Sequence, residues 1–351
     1  KWISAEKILG ASHLILSGLL IALAKATDFN SFYPLIFLVS MFFMPTIGLN
    51  RSISFGTLES RQMDIIKVFP PIRVWGTVGF ILAAWLVDFL EIGITPNQFY
   101  VSAGASFILG VYAFTLPRVG IQESSEKKTF VESLGLNAFA LFKKKKIAIF
   151  LIFSMLLGCV LQISNMWGDG FLQDFRGEYP DSFVVKHSLV FISLSMVSEA
   201  LFILAIPFFL KKFGIKKVML LSMLAWVLRF AFFGIGDPGS GFIFLTLSMI
   251  IYGMAFDFFN ISGSMFMAKE STPSIRSSAQ GLFMLMTNGL GAIIGAYGSG
   301  YIVDLYTGTD KMKDWSTIWF IFALYALVVT IAFALVFKYK HDPEELGAVK
   351  H

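Results

Sequence analysis

Long apolar runs recur along the whole chain and are separated by shorter polar stretches. Most runs approach the roughly 20 residues that an α-helix needs to cross about 30 Å of hydrocarbon. A backbone inside lipid has to satisfy its hydrogen bonds within its own segment, so helix is the expected structure. The pattern predicts ten spans, near residues 6–25, 31–49, 73–94, 98–116, 147–168, 187–210, 217–236, 241–268, 274–303 and 315–337.

The composition favours a membrane protein over a large soluble core. Of the 351 residues, 56% are hydrophobic and 15% are charged, and the mean hydropathy is +0.74. The single cysteine, Cys159, allows no disulfide within the chain, and the four histidines have no metal-ligand spacing. The sequence contains no phosphate-binding loop and no nucleophile elbow. We therefore expect an all-α membrane protein that is not an enzyme, with no catalytic residue, metal or cofactor.

Lysine and arginine residues are distributed unequally between the two sets of loops. Most of the 28 fall on the side that holds Lys1, the central linker and the C-terminus. Because positively charged loops remain in the cytoplasm, that side is predicted to be cytoplasmic. The net charge of +5 then reflects topology, and no nucleic-acid partner is expected.

The longest connection, 117–146, divides the spans into a group of four and a group of six. It contains the basic run KKKK and an apolar stretch, VESLGLNAFALF, that predicts a short helix on the membrane surface. Six plus six spans with a basic linker is the plan of the major facilitator superfamily, so the first two helices would be absent. The predicted divisions are 1–116 for the remaining first half, 117–146 for the linker, 147–340 for the second half and 341–351 for the tail.

Span 241–268 carries two neighbouring stripes at helical spacing. The polar stripe comprises Gly253, Asp257, Asn260 and Ser264, and the aromatic stripe comprises Tyr252, Phe256 and Phe259. An acid inside a span costs on the order of 3 kcal/mol and usually faces a cavity or a partner. We interpret this helix as the lining of a cavity; the alternative is an acid satisfied by a neighbouring helix for packing alone.

Span 147–168 and its outer end repeat the polar spacing with Gly158, Gln162, Asn165 and Asp169. Glutamine and asparagine each offer donors and acceptors, which suits a neutral polyhydroxylated ligand. The alternative is a set of interhelical hydrogen bonds worth about 0.6 kcal/mol each.

Two further charges, Glu199 and Arg229, lie inside the next two spans. With Asp257, they predict an ion-paired cluster in three consecutive spans. Such a cluster is either structural or a proton-coupling device, because a buried carboxylate near neutrality can gain and lose a proton.

In the third span, Arg73, Thr77 and Phe80 share one helix face. This face could contribute to a site, although Arg73 near the membrane surface could equally anchor to lipid phosphate.

In the ninth span, Gly291 and Gly295 form a glycine pair that predicts close helix packing. Thr287 and Asn288 are candidates for the border of a cavity.

Five segments then carry a specific resemblance that runs over essentially the whole chain. They are FPPIRVWGTVGF (69–80), LFKKKKIAIFLIFSMLLG (141–158), LQISNMWG (161–168), YGMAFDFFNISGS (252–264) and SAQGLFMLMTNG (278–289). The chain resembles the bacterial nucleoside:proton symporters of the major facilitator superfamily. That resemblance implies a twelve-helix bundle, of which about ten helices are present here.

The resemblance also implies roles for individual residues. The N-terminal half of the site would be represented by Arg73, Thr77 and Phe80. Ribose hydroxyls or base edges would be contacted by Gln162, Asn165 and Glu199, and the nucleoside rings would pack on Tyr252 and Phe256. The proton would be coupled by Asp257, Glu199 and Arg229. One branch of the family has glutamine where this chain has Met196, which bears on the nucleoside preference.

The sequence thus predicts a monomeric transporter that imports nucleosides by proton symport across the bacterial inner membrane. The expected substrates are uridine and other pyrimidine or purine nucleosides. Its partners would be nucleosides, protons and membrane lipids. The alternatives are a xanthosine or sugar permease on the same scaffold, an intramembrane enzyme using Asp257 and a second acid, or a receptor that does not transport. Without its first two helices, the chain is expected to be inactive as it stands.

Overall fold

The computed structural model describes residues 4–63, 65–117, 136–271 and 276–339. Within these ranges the chain is almost entirely helical, and its β-structure is one isolated bridge between Thr307 and Lys313. Seven of the described helices are long and apolar enough to cross a membrane. The chain divides into two compact units, Lys1–Lys127 and Lys128–His351.

The helices of the first unit follow one another along the chain with short connections. They are α1 (Ala5–Ala24), α2 (Phe29–Ser60), α3 (Ile65–Phe89) and α4 (Asn97–Ala113). The second unit begins with a 3₁₀ helix, Leu136–Lys143, and includes a one-turn helix, Phe183–Lys186. Its longer helices are α5 (Lys145–Asp174), α6 (Ser188–Ile235), α7 (Phe242–Glu270), α8 (Arg276–Met284), α9 (Ala292–Leu305) and α10 (Trp315–Val336). A π-helix, Leu285–Gly291, joins α8 to α9.

Seven of the ten predicted spans each overlap one helix of their own, and the ninth corresponds to α8, the π-helix and α9. The sixth and seventh spans both lie in α6, which is interrupted at Gly214. Gly214 has φ 76° and ψ 167°, a conformation that is essentially confined to glycine. The basic KKFGIKK segment therefore turns the chain within what would otherwise be one 48-residue helix.

The predicted surface helix of the linker lies partly outside the described residues. Its described part, from Leu136 onward, is the 3₁₀ helix. Ala138 and Leu141 on this helix are buried within the core of the second unit. This part of the linker thus packs on the second unit through Ala138 and Leu141, whereas Phe139 is exposed.

Helix α1 packs closely on α4 in the first unit. Gly10 lies against the ring of Phe114, and Gly110 lies against Leu14, so a larger side chain at either position would have to displace its neighbour. The backbone N–H of Ser31 donates to the Asp28 carboxylate at 2.9 Å, which caps the start of α2 and lowers the pKa of Asp28 below its usual value.

The core of the second unit is built largely from aromatic side chains. The two parts of α6 both pack along α7, and the hydroxyls of Ser198 and Ser222 donate to backbone carbonyls of Ile250 and Ala255 on α7. The largest fully buried side chains of this unit are Trp226, Trp319, Phe150, Phe171, Phe230, Phe233, Phe258, Phe266, Phe283, Phe333 and Phe337.

We expect Gly214→Ala to destabilise the protein by roughly 1–3 kcal/mol, because alanine is strained at this positive φ. The measurement is the thermal unfolding midpoint of detergent-solubilised protein. Gly170→Ala is the matched control, since an added Cβ meets nothing within 4 Å there. Equal midpoints for the two variants would contradict a required turn at Gly214.

Candidate functional site

The predicted stripes of α7 are largely buried in the second unit. Asp257 is 2% exposed, and Tyr252 and Gly253 are also buried. The rings of Tyr252 and Phe256 stack in parallel, with centroids 5.9 Å apart and an interplanar angle of 5°. The spacing i, i+4 on one helix places these two rings beside one another, so they form a continuous aromatic stripe along α7.

Gly253 sets how closely α7 approaches the first part of α6. A Cβ added at Gly253 would lie 2.5 Å from the carbonyl carbon and oxygen of Ser198 and 2.6 Å from the backbone nitrogen of Glu199. Only a residue without a side chain fits there. This contact brings Glu199, which is half-buried, beside the helix that carries Asp257.

Arg229 is 4% exposed and is held by groups on three helices. Its Nε donates to the Ser164 hydroxyl at 3.1 Å, and its Nη1 donates to the Ser248 carbonyl at 2.6 Å. The guanidinium carbon lies 4.9 Å from the centroid of the Phe233 ring and 4.6 Å from that of Tyr252. The side chain is therefore oriented by both hydrogen bonds and cation–π contacts.

Tyr252 lies among the three predicted charges. The guanidinium of Arg229 lies over its ring, Asp257 lies five residues further along α7, and Glu199 lies beside α7 at the Gly253 contact. Arg229 comes from the second part of α6, Glu199 from the first part, and Asp257 from α7 itself. The sequence predicted that these charges form a cluster; the pairing of the two acids with Arg229 stays a prediction.

A small cavity opens beside the aromatic stripe, with a free volume of about 270 Å³ that includes its open mouth. Phe256 and Asn260 of α7 border it, as predicted for their stripes, together with Thr287 and Gly158. Trp226 also lines the cavity and was missed by the sequence reasoning. Its signal was available, because Trp226 lies three residues before Arg229 and so faces the same side of the helix.

The polar residues of α5 divide into two groups. Gln162 is half-buried and Asn165 is exposed, so both amides remain available for a ligand. Asp169 instead accepts hydrogen bonds from Ser188 at 2.7 Å and from Gln173 at 2.6 Å. At the other end of the same polar stripe, Gly158 packs against the π-helix.

That contact confirms the close packing predicted for the ninth span. A Cβ on Gly158 would collide with the backbone of Thr287, and one on Gly291 or Gly295 would collide with the backbone of α5. The sequence predicted an uninterrupted α-helix here, whereas Leu285–Gly291 is a π-helix. Thr287 is buried and borders the cavity, as predicted, but Asn288 is exposed.

The predicted residues of the first unit lie on α3. Thr77 is half-buried within its unit, and Phe80 is 56% exposed there. Arg73 lies in the same helix, although its side chain is outside the described residues. Met196, at the position that departs from one family branch, packs against the core of the second unit.

A bundle of apolar helices with three charges gathered around a buried tyrosine is typical of a membrane transporter. The same fold occurs in a solved structure of low sequence identity. A structure of a bacterial homologue of the human lysosomal transporter Spinster superimposes with a TM-score of 0.63 at 13% identity, covering 95% of this chain and 82% of that one.

Closer similarity identifies the family. The family model described as nucleoside H⁺ symporter matches residues 1–342. The xanthosine permease of Escherichia coli (strain K12) is 50% identical, covering 100% of this chain and 85% of the relative. The nucleoside permease NupG of the same organism is 48% identical, covering 97% and 82%. A crystal structure of NupG superimposes with a TM-score of 0.87, covering 97% of this chain and 84% of that one.

The chain belongs to the nucleoside H⁺ symporter family. It is therefore a multi-pass secondary transporter of the all-α major facilitator type that imports nucleosides with protons. Its relatives are transporters and not enzymes, which confirms the prediction made from the sequence.

We expect Gly253→Ala to lower both the thermal unfolding midpoint and nucleoside uptake, because the added methyl group would separate α7 from α6 at Ser198. Gly281→Ala serves as the control, since an added Cβ there meets open space. Uptake by Gly253→Ala at the wild-type rate would show that the close approach is not needed.

Proposed function

We propose that the protein imports uridine and other pyrimidine and purine nucleosides with a proton across the bacterial inner membrane. The family match and the relatives' names support this substrate class. The excess of lysine and arginine on one side of the spans supports a cytoplasmic C-terminus and central linker. In this proposal a single chain works in contact with membrane lipids and needs no second copy.

The proposed nucleoside site of the second unit is formed by residues of α5, α6 and α7. Tyr252 and Phe256 provide flat apolar contact for the base, and the parallel pair on α7 is the observation that best supports this role. Gln162, Asn165 and Glu199 satisfy ribose hydroxyls or base edges, because amides and carboxylates supply the required donors and acceptors. For the first unit, we propose Arg73, Thr77 and Phe80 on α3 as substrate contacts, on the strength of the family resemblance alone.

The proposed proton site is Asp257 or Glu199. A carboxylate buried like Asp257 is costly when charged, so proton binding there changes the stability of the conformation that holds it. Proton binding also changes the balance with the positive charge of Arg229, and this biases inward-open against outward-open states. By linkage, if the proton favours nucleoside binding, the nucleoside favours the protonated acid equally.

A second candidate function is import of xanthosine. The relative named xanthosine permease is 50% identical to this chain. Met196 also bears on this choice, because a thioether cannot donate the hydrogen bonds of a glutamine amide.

We expect Asp257→Asn to abolish accumulation of labelled uridine driven by a pH gradient in proteoliposomes, because asparagine cannot release a proton. Exchange of uridine between equal concentrations on both sides should persist, since exchange needs no net proton movement. Asp304→Asn, at an exposed acid of α9, is the control and should accumulate normally. Gradient-driven accumulation by Asp257→Asn would exclude Asp257 as the proton site.

We expect Met196→Gln to strengthen competition by uridine relative to xanthosine by about 3–10-fold, as one added hydrogen bond of about 1 kcal/mol would do. Met196→Leu keeps the side-chain volume without adding a hydrogen-bonding group and should leave the ratio unchanged. The measurement is inhibition of labelled uridine uptake by each unlabelled nucleoside. An unchanged ratio in Met196→Gln would remove this residue from substrate selection.

A further inference from the structure

Arg229 is packed between two aromatic rings and does not line the described cavity. Its guanidinium carbon lies 4.9 Å from the Phe233 centroid and 4.6 Å from the Tyr252 centroid. A desolvated guanidinium over an aromatic face gives one of the stronger cation–π interactions in proteins. The contact therefore restrains the Tyr252 ring as well as the arginine.

The hydrogen bonds of Arg229 fix the plane of the guanidinium. Ser164 of α5 accepts from Nε at 3.1 Å, and the Ser248 carbonyl of α7 accepts from Nη1 at 2.6 Å. The Ser248 hydroxyl in turn donates to the Arg229 carbonyl at 3.1 Å. These bonds connect α5, α6 and α7, so the position of the guanidinium over Tyr252 is set by three helices.

Tyr252 transmits this position to the cavity. Its ring meets Trp226 edge-on at a centroid distance of 5.8 Å and stacks in parallel on Phe256. Both Trp226 and Phe256 line the cavity. A tilt of the Tyr252 ring would therefore change the aromatic wall that a flat ligand meets.

We propose that Arg229 is a positioning residue for nucleobase recognition, which holds Tyr252 and, through it, the Phe256 ring that lines the cavity. This inference rests on the proposed nucleoside site and adds a function for Arg229 beyond proton coupling. Lysine cannot replace it, because an ammonium group lacks the planar fork that donates to Ser164 and Ser248 while it stacks on a ring.

The test compares uridine with 5,6-dihydrouridine, whose base ring is saturated and puckered but whose ribose is unchanged. Labelled uptake into proteoliposomes gives KM and maximal rate for each nucleoside. In Arg229→Lys, we expect the KM for uridine to rise about 10-fold while the KM for dihydrouridine changes little. The preference for the flat base should therefore fall towards 1.

Ser164→Ala is the second variant, because it leaves the charge of Arg229 intact and removes only the bond to Nε. We expect the same loss of preference at about 3-fold, and this variant decides the question if Arg229→Lys does not fold. Arg176→Lys, at an exposed arginine between the helices, is the control and should keep the wild-type preference.

Two results would overturn the proposal. One is an unchanged preference for uridine over dihydrouridine in folded Arg229→Lys and in Ser164→Ala. The other is an altered proton dependence with that preference intact, which would limit Arg229 to coupling. Failure of the proposed function is distinguishable, because wild-type protein would then accumulate no nucleoside under a pH gradient.

Discussion

Polar groups inside an apolar helical bundle have to find partners within the protein, and the second unit is organised around this constraint. Arg229 is the most demanding case, since its guanidinium carries a full charge and is almost fully buried. Neutral acceptors on α5 and α7 and two aromatic faces satisfy it. The same contacts hold three helices together around Tyr252. The interactions that satisfy the buried charge of Arg229 therefore also position the residues of the candidate site.

Close helix contacts make this arrangement possible. Apolar side chains gain little from leaving lipid, so helices in a membrane associate through close packing and hydrogen bonds. Gly253 provides that contact between α7 and α6, and Gly158, Gly291 and Gly295 provide it between α5 and the ninth span. The second of these contacts borders the cavity, because both Gly158 and Thr287 line it.

The π-helix Leu285–Gly291 lies at the second of these contacts. π-Helices are rare and occur frequently at functional sites, because the wider turn re-aims side chains and weakens the regular hydrogen-bond ladder. Here the segment places Thr287 both against Gly158 and at the border of the cavity.

The sequence by itself determined the succession of long apolar helices, the burial of Asp257 and the close packing of Gly291 and Gly295. These features are local: each depends on the length of an apolar run or on the spacing of residues along one helix. Most of the cavity border on α7 also followed from the stripe that holds Phe256 and Asn260.

Only the tertiary structure decided how Arg229 is satisfied, that Trp226 reaches the cavity, that Asp169 is held by Ser188 and that the ninth span contains a π-helix. These features depend on which neighbouring helix faces a residue and on how each helix is rotated. Periodicity along one segment carries no information on that choice, because many partners on other segments are chemically equivalent until the helices pack.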